Sequence, residues 1–131
     1  LEHIPNDRCV IDEISRTMKR GGELFITVPN AYCRMLPIFA IYCYHIDRLV
    51  GHLRHYKAED LIEMFLKRGF YAKNIFYHAH PIKAVQFLLH TVFPQLRKPN
   101  SRIWWKLEEI DNRFYRIPVG MQLSMHLKKS M

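Results

Sequence analysis

A short apolar run, residues 24–28, restricts more than any other feature how this chain can fold. It lies between Gly21 and Gly22 on one side and Pro29 and Asn30 on the other, and both pairs favour turns. A nearly continuous apolar run between turn residues is typical of a strand that is covered on both faces. We therefore expect a largely parallel sheet with helices packed on both of its sides.

Helical patterns surround this strand. Apolar residues at intervals of three and four predict four helices, which begin near Asn6, Ala58, Pro81 and Ser101. Residues 31–56 are also rich in apolar and aromatic side chains, and there Pro37 is expected to break a helix before the loop at residues 51–56. Helices that alternate with strands predict an α/β fold.

Two further strands are expected. Residues 71–77 form the less regular one, whereas residues 119–127 alternate strictly between apolar and polar, which is the period of a strand. His126 falls on the polar face of the second stretch, and we expect it to be an ordinary surface residue. Because no repeat or flexible linker interrupts the pattern, residues 1–131 are expected to form a single domain.

Composition limits the environment and the partners. The 131 residues carry 20 Lys and Arg against 12 Asp and Glu, a formal charge of +8 that favours an anionic partner. The three cysteines, Cys9, Cys33 and Cys43, form no CxxC pair, so a reducing, cytoplasmic location is expected. The longest apolar run, residues 35–46, contains Pro37 and is shorter than the ~20 residues of a membrane-spanning helix.

Several familiar catalytic motifs are missing. The five glycines allow neither GxGxxG nor GxxxxGK, and no serine lies in a GxSxG motif. His52 and His55 stand three residues apart, and His78 and His80 stand two apart, but no cysteine lies near either pair. Since structural zinc sites usually include thiolates, we expect no metal site.

The order of the motifs points to a family. The segments "LEHIPND", "MKRGGELFITVPN" and "GHLRHYKAEDLIEMFLKRGF" together resemble the C-terminal half of class I S-adenosylmethionine-dependent methyltransferases, of the small-molecule group called type 11 or related. The closing "IPVGMQLSMHLKK" resembles the last strand of that family, which is antiparallel within an otherwise parallel sheet. The resemblance implies a partial Rossmann-like sheet, made of the last three strands, with flanking helices and a helical cap formed by residues 31–56 and 78–116.

The same resemblance explains why the chain begins with a loop-like "LEHIPND". It implies a fragment, with the first four strands and the glycine-rich loop that hold most of the cofactor lying before Leu1. Leu1, Glu2 and His3 would then lie beside the methionine end of S-adenosylmethionine. The side chains implied on the acceptor side are Asn30, Tyr32, His52, Arg54, His55 and Tyr56.

The implied reaction is displacement at the sulfonium methyl by an acceptor oxygen, nitrogen or carbon. The implied function is therefore the substrate-side part of a methyltransferase that acts on a small-molecule or lipid-like acceptor and is inactive alone. A general base is needed only if the acceptor must lose a proton. His3, His52 and His55 are the candidates for that role, and His52 ranks first because of its position in the loop.

Two other classes of function stay open. A non-catalytic module could use the apolar residues 35–46 and the Lys and Arg residues of 97–116 to bind an anionic membrane surface or a partner protein. Peripheral membrane contact is also compatible with methyl transfer to a lipid-like acceptor. Nucleic-acid binding through Arg97, Lys98, Arg102 and Lys106 is the least favoured hypothesis.

Overall fold

The computed structural model describes residues 1–96 and 102–131. In chain order, the regular elements of these residues are α1 (Asp7–Thr17), β1 (Glu23–Pro29), α2 (Pro37–Val50), α3 (Ala58–Leu66), β2 (Phe70–His78), α4 (Pro81–Val92), α5 (Arg102–Asn112) and β3 (Gln122–Lys129). Short 3₁₀ turns cover Tyr32–Arg34 and Pro94–Leu96. Ser101, the predicted cap of the last helix, lies outside the described residues, as do Arg97 and Lys98.

The sheet has the strand order β1–β3–β2, and β3 is antiparallel to both of its neighbours. β1 and β2 therefore run in the same direction, with the last strand of the chain inserted between them. This agrees with the expectation of an antiparallel final strand. In the register, Leu24 lies opposite Leu127 and Ile75 lies opposite Met125.

The core lies between one face of this sheet and two helices. Ile11 of α1 and Leu61 and Phe65 of α3 are fully buried against Leu123 and its apolar neighbours on β3. Phe65 also meets the ring of Phe70 edge to face, with 5.5 Å between the ring centroids. The amphipathic stripes predicted for both helices are thus the surfaces that cover the sheet.

The opposite face of the sheet differs from the prediction. Phe25, inside the run expected to be buried on both faces, is 70% exposed, whereas Val28 on the other face is 2% exposed. In the described part of the chain, α1 and α3 both pack on the Val28 face, and the Phe25 ring stacks on His126 of β3 at a centroid distance of 4.1 Å. The expectation of two covered faces was wrong for these residues because both helices lie on one side.

Two smaller predictions were also wrong. Pro37 does not break a helix but begins α2, since proline at the first helical position costs no hydrogen bond. His126 is not a surface residue: it is 8% exposed, and its Nε2 lies 3.0 Å from the Glu23 carboxylate. β3 begins at Gln122, three residues after the start of the alternation. Just before it, Gly120 packs so closely on His78 that a Cβ would lie 2.5 Å from the His78 carbonyl oxygen.

A buried carboxylate joins α5 to the beginning of α4. Asp111 is fully buried, and its carboxylate accepts hydrogen bonds from the backbone N–H groups of His80, Ile82 and Lys83 at 2.9, 3.1 and 3.2 Å. The first N–H groups of a helix have no partner within the helix, and a negative charge there is favourable. α4 therefore takes its N-terminal cap from another helix.

Candidate functional site

A pocket lies where β1 and β2 end. Pro29 and His78, the last residues of these strands, both lie opposite Gln122 at the start of β3. Because β1 and β2 point the same way, their carboxyl ends meet at one edge of the sheet, which is where α/β folds commonly bind ligands. The pocket at this edge has a volume of about 310 Å³.

The walls of the pocket are mostly apolar, with polar groups on one side. Its lining residues are Glu2, Thr27, Val28, Pro29, Tyr42, Cys43, Ile46, Asp47, His52, His55, Ala79, Phe87, Met121 and Gln122. The Tyr42 hydroxyl lies 2.9 Å from Oγ1 of Thr91, which joins the α2 wall to α4. Apolar walls with a few converging polar groups are typical of small-molecule sites.

Asp47 organises the polar side of the pocket. It is 7% exposed, near the end of α2, and its carboxylate contacts three side chains. Nδ1 of His52 lies 2.6 Å from Oδ1, Nε2 of His55 lies 2.7 Å from Oδ2, and the Tyr32 hydroxyl donates to Oδ2. Burial alone would raise the pKa of Asp47, but these hydrogen bonds together hold it below its usual value.

His52 is oriented by this carboxylate. Since Asp47 accepts, Nδ1 of His52 donates, and the lone pair of a neutral imidazole is then on Nε2. His52 lines the pocket, and its ring lies 4.7 Å from that of His3. A carboxylate that fixes one nitrogen and leaves the other free is the arrangement that prepares a histidine to accept a proton.

His55 has a different role. Its Nε2 faces Asp47, and its Nδ1 lies 2.5 Å from the backbone oxygen of Asn30. Both oxygens are acceptors, so these two contacts occupy both ring nitrogens of His55. The Tyr32 ring stacks on it at 4.0 Å. His55 thus links Asp47 to the Asn30 backbone, and neither of its ring nitrogens is left open toward the pocket for proton transfer.

Two further groups near Asp47 hold their protons at neutral pH. Burial, followed by the Asp47 charge, raises the pKa of the Cys43 thiol to about 11. Burial, followed by the hydrogen bond to Asp47, raises the pKa of the Tyr32 hydroxyl well above its ordinary value. Cys43 is therefore a neutral part of the pocket wall, and a nucleophilic thiolate role is not favoured.

We expect Tyr32→Phe to lower the free energy of unfolding by about 1–2 kcal/mol, because Asp47 loses a hydrogen bond to its charge while the ring stays in place. Urea unfolding checks this value. Tyr44→Phe is the matched control, since Tyr44 is 52% exposed on α2. Equal unfolding midpoints for the two variants would contradict the importance of the Tyr32 hydroxyl.

Acid should weaken the Asp47 network. The pKa of Asp47 is lower in the folded chain than its ordinary value of 3.8, so its stabilising effect is complete above pH 3.8 and is lost as the pH falls through the folded pKa. We expect the free energy of unfolding of the native chain to fall more steeply below that pH than that of Asp47→Asn. Asp7, whose pKa is also lowered, is present in both chains and cancels in the difference. Urea titrations in which the free energy of unfolding of both chains falls equally steeply below pH 3.8 would contradict this expectation.

Two groups of side chains could also hold a divalent cation. Donor atoms of Asp47, His52 and His55, and likewise those of Glu2, His3 and His52, lie within 4.8 Å of one another. Two imidazoles and a carboxylate are ligands that zinc and iron accept. These donors came together although the sequence led us to expect no metal site.

One of the three residues predicted beside the cofactor lines the pocket. This residue is Glu2. The Glu2 backbone oxygen accepts a hydrogen bond from the Leu53 backbone at 2.8 Å, which connects the first residues to the loop at residues 51–56. His3 is placed by a contact of 3.2 Å between its Nδ1 and the Gly51 oxygen. Leu1 packs against the core. Only Glu2 of the three faces the pocket.

The residues predicted on the acceptor side divide into two groups. His52 and His55 line the pocket, and Tyr32 donates a hydrogen bond to Asp47, which also lines it. The remaining three do not line it. Asn30 is fully buried, and its side-chain amide donates a hydrogen bond to the Gly120 backbone oxygen. Tyr56 and Arg54 each contact the Asp7 carboxylate, at the start of α1, at 2.9 Å. Their role in binding an acceptor stays a prediction.

Asp47 was missed in the sequence, although a signal for it exists. It is the only acidic residue between Glu23 and Glu59, and it stands in an apolar stretch. A carboxylate that is buried in such a stretch needs partners for its charge. The partners, five and eight residues further on, belong to the same loop that the sequence analysis selected.

Comparison with known proteins supports the fold. No protein-family profile and no curated protein matches this chain in sequence. Among solved structures, the chain is similar to a protein from Bacillus halodurans C-125 that is described as a proposed methyltransferase, with 20% sequence identity and a TM-score of 0.55. The match covers 99% of this chain and 61% of the other, so the chain spans less than two thirds of that protein. The chain therefore shares its fold with part of that protein.

A helix that crosses a membrane must be both long and apolar. Among residues 1–96 and 102–131, none of the helices is both long enough and apolar enough to cross a bilayer.

Proposed function

We propose that this chain forms the acceptor side of an S-adenosylmethionine-dependent methyltransferase of the class I, type 11-like group. The observation that carries the proposal is the pocket at the carboxyl ends of β1 and β2, which contains a histidine oriented by a buried carboxylate. The likeness in fold to a proposed methyltransferase supports it independently. The acceptor is a small or lipid-like molecule, because the pocket of about 310 Å³ has mainly apolar walls.

The residues present fit one edge of a cofactor site. Glu2 puts a carboxylate on the pocket wall, which suits the positive sulfonium and ammonium groups of S-adenosylmethionine. The chain has no glycine-rich loop to enclose the rest of that molecule. When bound, S-adenosylmethionine supplies a methyl group on a sulfur that is already a good leaving group. Most contacts to it would come from residues outside this chain.

The chain's own residues would position the acceptor and accept its proton. Ile46, Phe87 and Val28 form apolar walls that exclude water and restrict the acceptor's orientation, and orientation supplies much of the rate when the leaving group is good. Nε2 of His52 is the atom that takes the proton of an acceptor hydroxyl or amine. His55 keeps Asp47 ionised, and Asp47 stabilises the imidazolium that forms on His52.

The test is a calorimetric titration with S-adenosylmethionine. The 131-residue chain and the product of the whole reading frame that contains it are compared under the same conditions. We expect binding by the longer product, together with transfer of labelled methyl groups to an apolar hydroxyl or amine acceptor. Absence of binding by both would overturn the proposal and leave the likeness in fold without this activity.

A further inference from the structure

The outer surface of α2 is unusually apolar. Ile38, Ile41 and Leu49 are 60%, 62% and 82% exposed, and their spacing of three and eleven residues places them on one face of the helix. The large side chains before and after this face, Leu36 and Leu53, are also more than 40% exposed. We call Ile38, Ile41 and Leu49 the α2 apolar face. Exposed apolar area of this kind marks an interaction surface.

The exposed side chains of α2 itself that can carry a charge near neutral pH are basic. Arg48 and His45 are exposed among the apolar residues, and the only acid of residues 36–53 is Asp47, which is buried. The exposed acids Glu59, Asp60 and Glu63 belong to α3 and not to α2. A helix that shows apolar and basic side chains together suits an anionic lipid surface.

The apolar face is continuous with the wall of the pocket. Tyr42 lies one helical turn after Ile38, lines the pocket, and is joined to Thr91 of α4. Phe87 lies one turn before Thr91, lines the same pocket, and is 43% exposed. The way from the outer surface of α2 and α4 into the pocket is thus bordered by aromatic side chains.

From these observations we infer that the α2 apolar face docks on an anionic membrane surface. α2 lies in the plane of the interface, with Ile38, Ile41 and Leu49 among the acyl chains and Arg48 at the lipid phosphates. The docking itself does not depend on methyl transfer. If the proposed function also holds, the pocket receives an acceptor that is dissolved in the membrane.

The test is co-sedimentation of the purified chain with vesicles. Phosphatidylcholine vesicles are compared with vesicles of phosphatidylcholine and phosphatidylserine, at low and at high salt. We expect binding to the anionic vesicles that weakens as salt rises. Ile41→Ser with Leu49→Ser should lower the binding constant at least tenfold, since two side chains no longer enter the acyl region. Arg48→Gln should lower it about fivefold.

Leu66→Ser is the matched control, because Leu66 is 60% exposed on α3 and stands near acidic residues. It should bind vesicles as the native chain does. No binding of the native chain to anionic vesicles would overturn the inference, and so would an equal loss in Leu66→Ser. A dimer that forms without vesicles and is abolished by the Ile41 and Leu49 changes would assign the face to a second copy. Vesicle binding by the chain, together with no methyl transfer by the product of the whole reading frame, would reject the proposed function alone.

Discussion

Replacing His52 by alanine is expected to slow methyl transfer by about 10²–10⁴-fold in the complete enzyme when the acceptor is a hydroxyl or an amine. The change removes Nε2, the ring nitrogen that Asp47 leaves free to accept the acceptor's proton. Under the proposed function His52 serves the acceptor, so the rate should fall much more than the affinity for S-adenosylmethionine. The measurement is single-turnover transfer of a labelled methyl group as a function of pH.

Two variants make this result specific. Asp47→Asn keeps the shape of the network, but a neutral amide stabilises an imidazolium on His52 less than a carboxylate does. This variant should therefore also lower the rate of methyl transfer while leaving the His52 ring in place. His78→Ala, which removes a half-buried histidine that does not line the pocket, should transfer methyl groups at the native rate. An unchanged rate in His52→Ala would remove this residue from the chemistry and leave the pocket as a binding site only.

The local patterns predicted most of the secondary structure because their causes are local. α4 extends over Pro81–Val92, as the stripe and the two prolines indicated, and Gly69 has the positive φ of 79° expected after α3. The antiparallel last strand followed from a family resemblance, and the pairing of β3 with both neighbours agrees with it. Such features can be predicted because they depend only on neighbouring residues in the sequence or on a known order of motifs.

The errors arose where distant parts of the chain decide the outcome. A run such as residues 24–28 shows that a strand is apolar, but the number of helices that cover it depends on where α1 and α3 pack. His126 has the polarity of a surface residue, yet Phe25, 101 positions away on a neighbouring strand, covers its ring. Periodicity contains no information about such contacts.

The candidate site shows the same division. His52 and His55 were selected from their loop, whereas the contacts that leave one ring nitrogen of His52 open and occupy both ring nitrogens of His55 could not be predicted. Asn30 and Tyr56 come from the same segments but turn toward the protein interior, and Arg54 binds Asp7 at the start of α1. Spacing along the chain brings residues near a site, and the packing of the backbone decides which of them face it.

Asp111→Ala is expected to lower the free energy of unfolding by about 3–5 kcal/mol, because three backbone N–H groups at the start of α4 lose their acceptor in a buried place. α4 carries Phe87 to the pocket and Thr91 to its bond with Tyr42, so the damage should extend to the acceptor site. Urea unfolding measures the stability. Amide hydrogen exchange at His80, Ile82 and Lys83 locates the change.

The location of the loss distinguishes a cap from a general packing defect. Asp111→Asn keeps one side-chain oxygen that can accept, so it should retain part of the stability and part of the exchange protection of α4. Asp60→Ala removes an exposed carboxylate from α3 and should change the free energy of unfolding by less than about 0.5 kcal/mol. If Asp111→Ala lost stability while the α4 amides stayed protected, its carboxylate would not be the cap of that helix. α4 forms one wall of the pocket through Phe87. A helix that opens locally moves Phe87 away from the pocket, so loss of the α4 cap should weaken acceptor binding before the whole domain unfolds.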